Sequence, residues 1–217
     1  MDRMTTADPL APFQWLNTHN SKDFLLGEIF TVAFFRGLDP SEVVRRFSCG
    51  EDYGQESTFN GLTEKVREFV GKTDGGYGGG SVGVLEVGEW SVAIELFGWM
   101  ATLHEVLAEL SRGCEVLAIT RHDYAEHSLE YAIDGTIVTG YRLTRAHDRY
   151  GSEPDRLNGF MRELGMALDT RDDESDWDTD YHAAVPRAFA LATKVTQVRF
   201  TSDMLSRAML VGPVAYR

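Results

Sequence analysis

Ser81-Val82-Gly83-Val84-Leu85-Glu86-Val87-Gly88-Glu89-Trp90-Ser91-Val92-Ala93-Ile94-Glu95-Leu96 decides the fold. Val82, Val84 and Val87 lead to Gly88-Glu89. Beyond that turn, Trp90, Val92, Ile94 and Leu96 alternate with Ser91, Ala93, Glu95 and Phe97. Period-two alternation on either side of a two-residue turn reads as an antiparallel hairpin, with one face packed and the other partly wet. Asp134-Gly135 gives the same signal between Ser128–Ile133 and Thr136–Leu143, because both residues accept the positive φ that tight hairpins need. Glu115–Thr120 reads as a further strand. Ile29–Phe35 reads as a strand rather than a buried helix, since Gly37 ends it and a helix start follows at once.

That start is Asp39-Pro40-Ser41-Glu42: a capping carboxylate, a proline suited to the first helical position, and a glutamate at the third. Phe59–Val70 and Leu103–Leu110 carry apolar residues at helical spacing, and Gly113 can end the second. Helices are also expected at Pro154–Leu164, Ala183–Ala192 and Thr201–Met209, with a short one over Pro9–Asn17. Residues 1–8 read as a frayed end, and Lys72–Gly80 as a flexible glycine-rich loop. The order predicts one α+β domain over residues 9–217. Its antiparallel or mixed sheet is built of hairpins, with helices on one face and at the C-terminal end.

The 217 residues include 21 Lys and Arg against 34 Asp and Glu, a net charge of −13. That balance argues against general nucleic-acid binding and against an anionic membrane surface, both of which need cations to neutralise phosphate. Cys49 and Cys114 form neither a redox pair nor a zinc pattern, which suits a reduced, cytoplasmic protein. The start lacks the apolar stretch of a signal peptide, and no uncharged apolar run approaches a membrane span.

The negative charge is densest from Asp169 to Asp180, D-T-R-D-D-E-S-D-W-D-T-D, where seven carboxylates and one arginine surround Trp177. Crowded like charges resist burial, so a solvated loop is expected. It reads either as a plain linker or as a surface for a basic protein. In the second case Asp172, Asp173, Glu174, Asp176, Asp178 and Asp180 supply the field and Trp177 an aromatic anchor. Asp176, Asp178 and Asp180 alternate as in a calcium loop, but the positions needing glycine and glutamate hold Tyr181 and Arg187.

Other motifs lack their structural context. Gly78, Gly80 and Gly83 match G-x-G-x-x-G but precede a strand rather than a helix. Gly71-Lys72-Thr73 lacks the first glycine of a phosphate loop, since position 66 is Val66. His122, Asp123, Glu126 and His127 read as surface polar residues of a strand connection; no metal or cofactor is expected, and no catalytic centre is readable. Arg36 follows an apolar run and Glu95 lies inside one. Either they form a structural ion pair, with Arg112 as an alternative cation, or Arg36, Glu95, Trp99 and Arg112 line a cleft for a small ligand beside the glycine-rich loop.

Several segments in order carry a resemblance. They are Phe35-Arg36-Gly37-Leu38 with Pro40, Glu42-Val43 and Arg45-Arg46, then Gly88-Glu89-Trp90 with Glu95 and Gly98-Trp99. Leu110-Ser111-Arg112-Gly113, Asp134-Gly135, Gly151-Ser152-Glu153-Pro154-Asp155-Arg156-Leu157 and Val198-Arg199-Phe200-Thr201 follow. Together they resemble an uncharacterised actinobacterial domain family, widespread in streptomycetes, which implies a cytoplasmic protein and no assigned activity. The expected function is that of a non-catalytic acidic binding protein, an inhibitor or immunity-type protein for a basic partner. The alternatives are a small-ligand sensor and, behind it, an enzyme with dispersed catalytic residues.

Overall fold

The computed structural model describes residues 8–17, 25–122, 127–169 and 177–215, without the side chains of 177–181. Its strands are β1 (Phe30–Arg36), β2 (Gln55–Ser57), β3 (Ser81–Val87), β4 (Trp90–Leu96), β5 (Glu115–Arg121), β6 (Ser128–Ile133), β7 (Thr136–Arg142) and β8 (Met209–Pro213). They form one eight-stranded sheet in the order β2-β8-β3-β4-β1-β5-β6-β7, and every pairing is antiparallel. The α-helices are α1 (Pro40–Phe47), α2 (Phe59–Thr73), α3 (His104–Leu110), α4 (Asn158–Glu163) and α5 (Trp177–Thr196). The α+β class and the hairpin-built antiparallel sheet are as the sequence predicts.

Both anchoring turns follow from their residues. Gly88 turns the β3–β4 hairpin at φ 62°, while Asp134 and Gly135 turn β6–β7 at 46° and 79°. Asp39 caps α1 by accepting from the Glu42 amide.

The sheet is covered on both faces, which goes beyond the one-sided arrangement expected. Val32, Phe34, Val92 and Ile94 face one apolar cluster with Leu62 and Val66 of α2 and Phe189 of α5. The alternate residues Ala33, Phe35, Val82, Val84 and Ala93 face a second, with Val43, Val44 and Phe47 of α1 and Val106, Leu107 and Leu110 of α3. Accordingly all seven residues of β4 are buried, so its expected wet face is dry. A central strand packed on both sides cannot afford a solvated row.

The C-terminal part differs most from expectation. The predicted helix Thr201–Met209 is a short 3₁₀ turn, Ser202–Ser206, followed by β8. Thr201 caps nothing with its side chain. β8 is drawn into the sheet by pairing between β2 and β3, a long-range gain that local periodicity does not carry. α4 starts at Asn158 rather than Pro154. Trp177–Asp180 belong to α5 and are helical rather than loop. Of the glycine-rich segment, Lys72 and Thr73 end α2 and the rest is turn, in which Gly78 and Gly79 are buried and a side chain at Gly80 would overlap the Phe69 ring.

The two sheet edges are short or covered. β2 has three residues. Along β7, Gly140 and Tyr150 exchange backbone hydrogen bonds at 2.9 Å, and the Ser152 and Glu153 amides donate to Ile137 and Val138. No described helix is long and apolar enough to cross a membrane.

Candidate functional site

On the α1/α3 face, at one end of the sheet, strand register aligns Glu95, Thr31, Thr120, Ser128 and Arg142 across β4, β1, β5, β6 and β7. Glu130 stands in the next row, between Ala118 and Gly140. The Gly98–Thr102 connection lies over this polar row. Thr31 Oγ1 donates to the Gly98 carbonyl at 2.9 Å, and the Met100 and Ala101 amides donate to the Glu95 carboxyl at 3.1 and 3.0 Å.

Glu95 therefore serves as the acceptor for a buried 3₁₀ turn, Met100–Thr102. Burial pushes its pKa up to about 7, and the two amides pull it partly back. Trp99 sits beside it with the glycine-rich turn, as the ligand reading anticipates. The cavity between them is about 10 Å³, the space of a single water molecule.

A second buried carboxyl has reactive neighbours. The Tyr150 hydroxyl donates to Glu130 Oε1. His104, the first residue of α3, places Nε2 3.3 Å from that hydroxyl and 3.7 Å from Glu130 Oε2. Glu130 is 3% exposed at its side chain, and Oε2 has no hydrogen-bond partner among the described residues. Burial raises the Glu130 pKa to about 8, against the opposing hydrogen bonds from Tyr150 and Ser128. Burial and the carboxylate beside it raise the Tyr150 pKa as well. Gly140 makes the arrangement possible, since a Cβ there would overlap both Glu130 Oε2 and the Tyr150 ring.

At neutral pH Glu130 is thus largely a protonated acid held beneath a half-exposed imidazole and phenol, a set that can exchange a proton or accept a cationic group. Glu95 and Glu130 stand three strands apart, about 14 Å at ordinary strand spacing, so they do not act as a carboxylate pair.

The sequence-derived site residues fall in separate places. Arg36 lies at the far end of β1, opposite Trp90, whereas Glu95 lies opposite Thr31. Arg36 is half-exposed, pairs with Glu115 at 3.2 Å and stands over the Trp90 ring at 6.0 Å. The proposed Arg36–Glu95 ion pair does not form, because the hairpin register sends the two residues to opposite ends. Arg112 is exposed after α3 and reaches Glu109 at 3.4 Å. Asp172, Asp173, Glu174 and Asp176 lie outside the described residues; Trp177, Asp178 and Asp180 belong to α5. His127 is buried, not a surface residue, and its Nδ1 accepts from the His122 amide at 3.1 Å; Asp123 and Glu126 lie outside the described residues.

Sequence reasoning missed Glu130, Tyr150 and His104. The available signal was Glu130 within the apolar run Leu129–Ile133, the same anomaly that singled out Glu95.

No curated protein and no solved structure matches the chain. A family model does match, over residues 4–215. The chain belongs to the family of unknown function DUF6461.

Proposed function

We propose that the chain is a non-catalytic binding protein, of the inhibitor or immunity type, that recognises a basic protein partner. The observation that carries this reading is the concentration of seven carboxylates within Asp169–Asp180 of a chain whose net charge is −13. Such a field accelerates encounter with a cationic surface and rejects anionic ones. Helix α5 supports it, because Trp177, Asp178 and Asp180 belong to an element that packs on the core. We place the protein in the cytoplasm of an actinobacterium, as the resemblance implies.

The test is affinity capture from lysate of the source organism at low and high salt. Wild type is compared with a variant carrying D172N, D173N, E174Q, D176N, D178N and D180N. Wild type should retain basic proteins that elute with salt, and the variant should lose them. Equal capture by both proteins refutes the reading.

Small-ligand binding is the second reading, favoured by Glu130 Oε2, a buried carboxyl oxygen with no hydrogen bond among the described residues, beside the half-exposed His104. A ligand there would raise the melting temperature of wild type and not of Glu130→Gln.

A further inference from the structure

Away from both of these regions, α1 and the end of α3 enclose a groove of about 470 Å³, lined by Arg45, Arg46, Cys49, Gly50, Glu109 and Arg112. Three guanidinium groups around one groove are unusual on a chain of net charge −13. Their geometry is fixed from behind. Glu42 accepts from Arg45 Nε and Nη2 at 2.6 and 2.8 Å, and from Arg46 Nε at 2.9 Å. Arg46 Nη1 is held by the carbonyls of Leu110 and Arg112 at 2.6 and 2.8 Å, at the negative end of α3. These two arginines hold the Glu42 pKa down to about 2, so the clamp stays charged throughout the physiological range.

Arg45 keeps the Nη1/Nη2 edge of its fork, and Arg46 keeps Nη2 alone. Among the described residues, Arg45 Nη1 and Arg46 Nη2 have no acceptor. The Arg112 guanidinium is largely exposed at the rim and, among the described residues, pairs with Glu109. Counting Glu42 and Glu109 against the three arginines leaves the groove at +1. Pre-oriented guanidinium forks suit tetrahedral oxyanions, to which they donate in parallel pairs. The volume lies within the range of small-molecule sites and exceeds what a bare oxyanion needs.

We propose that this groove binds a phosphate group, free or as a monoester, through Arg45, Arg46 and Arg112. Cys49 lines the groove, is exposed, and reports occupancy by its rate of alkylation. The experiment measures that rate on the full chain with iodoacetamide. The probes are inorganic phosphate and glycerol 3-phosphate, and potassium chloride of matched ionic strength corrects for screening.

Both phosphates should slow the reaction, with half-protection at about millimolar concentration. Arg112→Glu should weaken protection by roughly tenfold or more, the scale of one charge-assisted hydrogen bond. Arg45→Gln should do the same, and Arg112→Glu keeps the test intact where Arg45→Gln fails to fold. Tighter binding of glycerol 3-phosphate identifies a monoester site, and equal binding identifies a free-phosphate site. Protection no greater than that of chloride overturns the proposal, as does protection by phosphate that is unchanged in Arg112→Glu.

Discussion

The Tyr150 hydroxyl donates to one oxygen of the Glu130 carboxyl, while the other oxygen has no hydrogen bond among the described residues and lies 3.7 Å from His104 Nε2. The partnership spans 20 residues of chain and is set by the backbone bridge from Gly140 to Tyr150. It makes stability depend on pH in a direction opposite to that of an ordinary salt-bridged acid.

Glu130 and Glu95 both have folded-state pKa values raised by burial, to about 8 and about 7. A raised carboxyl keeps its proton longer in the folded chain than in the unfolded one. Between the unfolded value and the folded value the native state holds more protons, so stability falls as pH rises. Urea unfolding should therefore show a loss on the order of 6 kcal/mol between pH 5 and pH 8, somewhat more than half of it from Glu130. Glu130→Gln, neutral and of the same shape, should remove part of that slope and be more stable than wild type at pH 8. A slope unchanged by the substitution refutes the assignment.

Tyr150→Phe leaves Glu130 Oε1 without its donor from Tyr150. Stability should fall by about 1–3 kcal/mol, the cost of stranding a buried polar atom. That hydrogen bond also lowers the Glu130 pKa, so the pH-dependent loss should move to higher pH in the variant. His104→Ala, at a side chain 56% exposed, should change stability by less than about 0.5 kcal/mol.

Glu95→Ala strands the buried amides of Met100 and Ala101 and should cost about 2–5 kcal/mol. Glu95→Gln keeps one acceptor oxygen and should cost less. Amide hydrogen exchange at Met100 and Ala101 is the direct readout: both should exchange faster in the alanine variant.

Cys49 follows α1 at φ 59°, in the left-handed region. The Cys49 amide donates to the Arg46 carbonyl and the Gly50 amide to the Arg45 carbonyl, the two bonds of a helix terminus that ordinarily places glycine where Cys49 stands. Cys49→Gly should leave stability unchanged or raise it by up to about 1 kcal/mol in thermal unfolding, because glycine removes the steric penalty.

Arg36→Ala removes an exposed ion pair with Glu115 and a stacking contact on Trp90. The variant should fold normally and lose less than about 1 kcal/mol, as measured by urea unfolding.

How much of this was legible in the chain depends on the range of the interaction. The turns at Gly88 and Asp134-Gly135 and the cap at Asp39 are decided within four residues, and the sequence predicts each of them. β8 is decided by partners more than 100 residues away, Val82 and Gly83 among them, so the strand after the expected helix Thr201–Met209 carries no local signal of its own. Arg36 and Glu95 illustrate the same limit. Each is anomalous in its own strand, but only the register shows that they point to different ends of the sheet. Glu130 was hidden because a glutamate in a β-rich run reads as a solvated face until the Tyr150 segment is folded over it.

The covered margin of β7 and the brevity of β2 have a consequence for crowding in solution. An unprotected strand margin invites another copy to add on through main-chain bonding, the route to fibrils. Here one margin offers three residues and the other is already occupied by the chain's own 150–153 stretch. Main-chain pairing with a second copy is thereby limited at both margins of the sheet.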